Sequence, residues 1–121
     1  MPSLDMGSNY YKLKKEVIET LKDGLIGNYA LGYMSANNSF VVHYVGRSDT
    51  DLKQRLLQHL DDTKLYPYFK FSVANTVKEA YLKECKNFHD FGGEKYLDNK
   101  NHPAKPEGIK EVCPYCGKWL I

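Results

Sequence analysis

Arginine is nearly absent from this chain: of its 17 Lys and Arg residues, only Arg47 and Arg55 are arginines, and both fall in the stretch His43-Tyr-Val-Gly-Arg-Ser-Asp-Thr-Asp-Leu-Lys-Gln-Arg-Leu-Leu-Gln-His-Leu60. Long apolar runs are also missing, so no segment reads as a membrane span. No apolar stretch of the signal-peptide kind opens the chain, and the expected compartment is cytoplasmic. Cysteine is scarce as well: there are three, an odd number, and two of them form the Cys113-x-x-Cys116 pair. That usage argues against a disulfide scaffold. Charge of one sign is not in great excess. A net charge of +2 excludes a non-specific polycation and leaves room for a local basic patch.

What is present is ordinary globular material, with 42% hydrophobic and 26% charged residues and ten tyrosines. A chain of 121 residues reads as one domain over 1–121 with a single modest core. Apolar residues at 10, 11, 13, 17, 18 and 21 are near helical spacing, which predicts an N-terminal helix at about 10–23 stopped by Gly24. Residues 27–34 and 40–46 read as strands joined by the turn-forming Ser-Ala-Asn-Asn-Ser. Residues 51–60 read as a helix with Leu52, Leu56 and Leu60 as its apolar stripe, and 66–74 as a third, aromatic strand. Thr76-Val-Lys-Glu79 has the form of a capping box and starts a helix to about Asp90, stopped by Phe-Gly-Gly. The expected fold is α/β (α+β): a small three-stranded antiparallel sheet flanked by helices. Its core covers about 27–101, and an irregular tail runs from 102 to 121.

Arg55 and His59 are four apart and so share a helix face, placed here as an exposed pair opposite the leucines. Arg47 follows a strand directly. The planar guanidinium suits two-point contact with phosphate better than an ammonium does, so using Arg only here reads as a choice of geometry. Gly27-Asn28-Tyr29, then Tyr44-Val45-Gly46-Arg47-Ser48, then Arg55 and His59, then Glu84 in Glu-Ala-Tyr-Leu-Lys-Glu, then Asn99 resemble the GIY-YIG nuclease superfamily. The likeness covers about residues 27–101. Two features depart from the family pattern: Asn28 stands where an aliphatic residue is usual, and 14 residues separate Tyr29 from Tyr44, more than usual. Tyr33, with ten residues between it and Tyr44, is the alternative first-motif tyrosine. Tyr29 is preferred because Gly27 precedes it at the right spacing. Tyr29, Leu31 and Tyr33 share a strand face, so both tyrosines are candidates for the site.

The resemblance implies hydrolysis of a phosphodiester in DNA, leaving a 5′-phosphate and a 3′-hydroxyl. It makes Glu84 the ligand of one Mg²⁺ or Mn²⁺ ion, Arg55 the holder of the scissile phosphate and Tyr29 the general base, with Tyr44 and His59 positioning water or relaying the proton. Arg47 and Tyr33 are substrate contacts, and Asn99 orients the neighbourhood of Glu84. The alternatives are an inactive nucleic-acid-binding module that keeps the fold and an RNA-directed nuclease. The lysines at 12, 14 and 15 and at 105, 110 and 118 supply phosphate contacts, which position a strand without reading its sequence.

A second metal is suggested by the residues themselves. Cys113-Pro-Tyr-Cys116-Gly has the form of a zinc knuckle, and structural Zn²⁺ takes four ligands. Cys85 and His89, at i and i+4 on one helix, complete a Cys3His set, with His102 as the alternative imidazole.

Overall fold

The computed structural model describes residues 4–61, 66–99, 101–109 and 113–115. The chain forms β1 (Tyr11–Lys12), α1 (Lys15–Ile18), β2 (Gly27–Met34), β3 (Phe40–Ser48), α2 (Leu52–His59), β4 (Tyr68–Val73), α3 (Val77–Asp90) and α4 (Gly93–Tyr96). The strands make one antiparallel sheet in the order β1-β4-β2-β3.

The mixed α and β class and the antiparallel sheet are as expected, but the sheet has four strands. The fourth comes from the predicted N-terminal helix. Tyr11 pairs with Phe69 and Lys12 with Tyr68, and only Lys15–Ile18 is helical there. Tyr10 packs edge-on against Tyr68, and Tyr11 lies against Phe69 and Phe71. These cross-strand aromatic contacts favour an extended edge over the helix its periodicity suggested.

Alternation along β2 splits the core into two layers. Tyr29 and Leu31 point to one face, where they are buried with Ile18, Leu52, Leu56 and Phe69 under α1 and α2. Ala30 points to the other, with Val45, Phe88 and Leu97 against α3. Asn28 also faces α3, and its amide donates to the Ala80 carbonyl at 2.9 Å. The departure from an aliphatic residue at this position thus ties β2 to the first turn of α3.

Both long helices start at a side-chain cap. Asp51 accepts from the Lys53 and Gln54 amides, and Thr76 from the Glu79 amide. Glu79 reaches back to the Asn75 amide, one residue outside the reciprocal pairing of a capping box. Past Phe91, Gly92 takes φ +97°, the left-handed conformation that ends α3.

Strand β3 lies at the edge of the sheet, with α2 over one face and α3 over the other. The segment after α4 covers part of that edge: the Asp98 amide donates to the His43 carbonyl at 2.6 Å. Asn99 pairs through both ends of its amide with the Val45 backbone, at 3.0 and 2.8 Å. No described helix is long and apolar enough to cross a membrane.

Candidate active site

The two layers meet at the β3 edge, and a cleft of about 500 Å³ opens there. Tyr44, Gly46 and Arg47 of β3, Asp49, Arg55 of α2 and Glu84 of α3 line it, together with residues 98, 99 and 101–104.

Gly46 shapes the floor. It stands opposite Tyr29 in the strand register, and the Tyr29 ring lies over it so closely that a Cβ would come within 2.4 Å of the phenol oxygen. Without a side chain there, the ring crosses β3 toward the edge. The Tyr29 hydroxyl then meets His59 Nε2 at 2.6 Å. Tyr44 stacks beside Tyr29 at 6.3 Å between centroids and meets the His59 ring edge-on at 5.0 Å. His59 is buried with Leu52 and Leu56 while Arg55 is exposed, so the expected exposed Arg–His pair is not formed. The helix instead turns His59 inward to Tyr29 and leaves Arg55 at the cleft.

Burial, and then the neighbouring Tyr44, push the Tyr29 phenol well above the ordinary tyrosine range, and the opposing pull of Arg55 does not offset them. Tyr29 therefore stays a neutral phenol near neutral pH. It can pass a proton to His59, but it does not begin as a phenolate.

Glu84 reaches the same cleft from α3. Burial pushes its carboxyl up to about 7, against the lowering effect of Arg47. Arg47 Nη1 donates to Glu84 Oε1 at 2.6 Å, and its Nε donates to Asp49 at 2.8 Å. The guanidinium also lies 5.4 Å from the centre of the Tyr81 ring. Arg47 is thus a fixed bridge between β3 and α3, whereas Arg55 hydrogen-bonds Gln58 on its own helix and faces Tyr29. The two arginines, given different roles by the resemblance, also differ in structure: Arg47 is tied into the fold by Glu84 and Asp49, and Arg55 is exposed at the cleft.

Of the other expected residues, Asn99 lines the cleft with its amide engaged by Val45. It holds β3 rather than Glu84. Tyr33 is 42% exposed and packs against His43 at 5.0 Å, away from the Tyr29–His59 pair. An extra residue in β3, His43, shifts the register between Leu31 and Gly32 and separates Tyr33 from the catalytic candidates. Sequence reasoning did not single out Asp49, which sits two residues past Arg47, or Tyr81.

Beside Glu84 on α3, Cys85 opens a second cluster. Its sulfur, a ring nitrogen of His102 and the Cys113 sulfur all lie within 4.8 Å of one another, and this group could hold a metal ion. Neither cysteine is in a disulfide. His102 takes the place expected of His89, whose Nε2 stands 3.2 Å from His102 Nε2. The expected ligand Cys116 lies outside the described residues. Tyr81, Leu82 and Ile109 close around the sulfurs. The buried Tyr81 hydroxyl makes no hydrogen bond of ordinary geometry among the described residues, and it faces the Cys85 sulfur. Burial pushes the Cys85 thiol up to about 12, so the bare thiolate has little support there. A cation would supply that support, and the Tyr81 hydroxyl is placed to donate to the resulting thiolate.

No family model, curated protein or solved structure matches the chain.

Proposed function

We propose that this chain is a metal-dependent endonuclease of the GIY-YIG kind that hydrolyses phosphodiester bonds in DNA, leaving 5′-phosphate and 3′-hydroxyl ends. The observation that carries the reading is convergence. Tyr44, Arg55 and Glu84, from three separate elements, line one cleft, and the buried Tyr29–His59 pair packs directly against Tyr44 behind its wall.

Arg55, at the cleft and exposed, binds the scissile phosphate and offsets charge that develops on it. Tyr29 takes a proton from the attacking water as its own hydroxyl proton passes to His59 Nε2. The buried position of this pair keeps bulk water from competing for the proton. The water oxygen bonds to phosphorus, the bond to the 3′ oxygen breaks, and that oxygen takes a proton from solvent. Tyr44 packs against both rings and holds the Tyr29–His59 geometry. Glu84 would hold Mg²⁺ or Mn²⁺ through the oxygen not bound by Arg47, with water and phosphate oxygens as the other ligands, as is usual for hard cations. Such an ion supplies Lewis-acid stabilisation of the leaving oxygen. The donor suits such an ion in kind, because Glu84 presents a hard carboxylate oxygen at the cleft wall.

Cys85, His102 and Cys113 would hold Zn²⁺, since two thiolates and an imidazole match its ligand preference. The fourth ligand would be His89, beside His102, or Cys116, which lies outside the described residues, and a closed site of that kind is structural.

The test is an assay on end-labelled single-stranded, duplex and branched DNA and on RNA, with Mg²⁺, Mn²⁺ or EDTA. Metal-dependent cutting of a DNA substrate with 5′-phosphate products supports the reading. Cutting confined to RNA replaces the substrate, and tight binding without cutting of any substrate replaces the enzyme with a binding module.

A further inference from the structure

The Cys85–His102–Cys113 cluster reaches the wall of the cleft through His102, with the two buried sulfurs behind it. Cys85 is the next residue in α3 after Glu84, and both are buried. His102 belongs to the segment 101–104 that lines the cleft together with Arg47 and Arg55. Cys113 comes from the tail beyond. Between α4 and Cys113 the described chain has no helix or strand, so little regular backbone pairing holds 101–109 in place. Its ties to α3 include the facing imidazoles of His89 and His102, the contact of Phe88 with His102, and the small apolar cluster around Cys85 and Cys113.

We infer that a thiophilic divalent metal of the zinc class, bound by Cys85, His102 and Cys113, is a removable staple that fixes segment 101–104 as one wall of the cleft, so that metal loading sets how tightly a strand is held there. Binding releases the two thiol protons and replaces them with two metal–sulfur bonds. It joins three distant parts of the chain through one centre, which is how structural zinc orders chain with little core of its own. The role as a wall for a nucleic-acid strand rests on the function proposed above, but the metal centre and the ordering of the segment do not.

The experiment uses the full chain, purified under reducing conditions without chelator. Elemental analysis should give about one zinc per chain. Replacement by Co²⁺ should give the visible bands of a tetrahedral ion and the near-ultraviolet bands of thiolate ligation. Cys85→Ser should weaken the thiolate bands, because one of the two thiolates is removed, and His102→Ala should weaken metal retention. Hydrogen exchange at 101–104 should speed up on metal removal, with little change in β2 and β3. Anisotropy with a labelled DNA single strand should show severalfold weaker binding by metal-free protein and by His102→Ala. His102→Cys, which restores a zinc ligand without the imidazole, should recover both metal and binding. Absence of metal from wild type together with failure to take up Co²⁺ would overturn the inference. So would a Cys85–Cys113 disulfide in the purified protein, or exchange at 101–104 that ignores the metal. Metal-dependent ordering with no nucleic-acid binding by any form would leave the staple standing and count against the nuclease.

Discussion

The ring of Tyr29 lies across Gly46, with its phenol oxygen where a Cβ on residue 46 would come within 2.4 Å. This contact explains why a strand edge carrying a catalytic candidate has a glycine at its centre. Gly46→Ala should push the Tyr29 ring off β3 and break its 2.6 Å contact with His59. Overpacking of this kind costs about 1–3 kcal/mol. We expect a lower melting temperature together with loss of cutting, and a crystal structure of the variant would show the displaced ring. Full activity in Gly46→Ala would remove Tyr29 from the mechanism.

Tyr29 and His59 should behave as one unit. Tyr29→Phe and His59→Ala should each slow cleavage by roughly 10²–10⁴-fold, the range for a positioned proton-transfer group. The double variant should be little slower than either single one, because the same relay is broken twice. Single-turnover rates with saturating enzyme measure this directly. Tyr29 also has an alkaline signature. Its folded value is raised, chiefly by burial, so the neutral phenol contributes stability below the unfolded value of about 10, and that contribution is lost as pH rises further. Melting temperatures above about pH 10 should therefore fall more steeply for wild type than for Tyr29→Phe.

The two arginines should separate stability from chemistry. Arg47 bridges Glu84 and Asp49 with a side chain only 11% exposed. Arg47→Ala leaves a buried carboxyl without its partner and should cost about 3 kcal/mol in urea unfolding. Arg55 is exposed. Arg55→Ala should leave the unfolding midpoint nearly unchanged and reduce the cleavage rate about 10²–10³-fold, with partial recovery in Arg55→Lys.

Asn99 should prove a positioning residue. Both of its hydrogen bonds go to the backbone of Val45. Asn99→Ala strands a buried amide and carbonyl and should cost about 1–3 kcal/mol. Hydrogen exchange of the Val45 amide should rise in that variant. Unchanged exchange at Val45 would rule the role out.

Much of the fold could be read from local signals. The hairpin follows from two apolar runs around Ser-Ala-Asn-Asn-Ser, and α2 and α3 follow from Asp51 and Thr76 as caps before apolar stripes. What could not be read depends on contacts between distant residues. Tyr10 and Tyr11 have helical spacing, but their packing on Tyr68, Phe69 and Phe71 makes them an edge strand. In the site, the motif spacing brings Tyr29, Tyr44, Arg55, His59 and Glu84 into consideration together. The spacing from Gly27 favours Tyr29 over Tyr33, and what it could not show is that Gly46 and the extra residue at His43 keep the two tyrosines apart. Helix periodicity makes His89 a natural partner of Cys85, yet the loop carries His102 into that place. The Arg47–Glu84 pair joins residues 37 apart in the chain, and no local pattern encodes it.

The most direct test of the central claim is metal-dependent cleavage of labelled DNA by wild type and by Glu84→Gln, which keeps the side chain's shape and removes its charge. The account predicts cutting by wild type with Mg²⁺ or Mn²⁺ that EDTA abolishes, and at least about a hundredfold less by Glu84→Gln, with both proteins folded and binding DNA equally. Equal cutting by the two proteins, or wild-type cutting that survives EDTA, would contradict it.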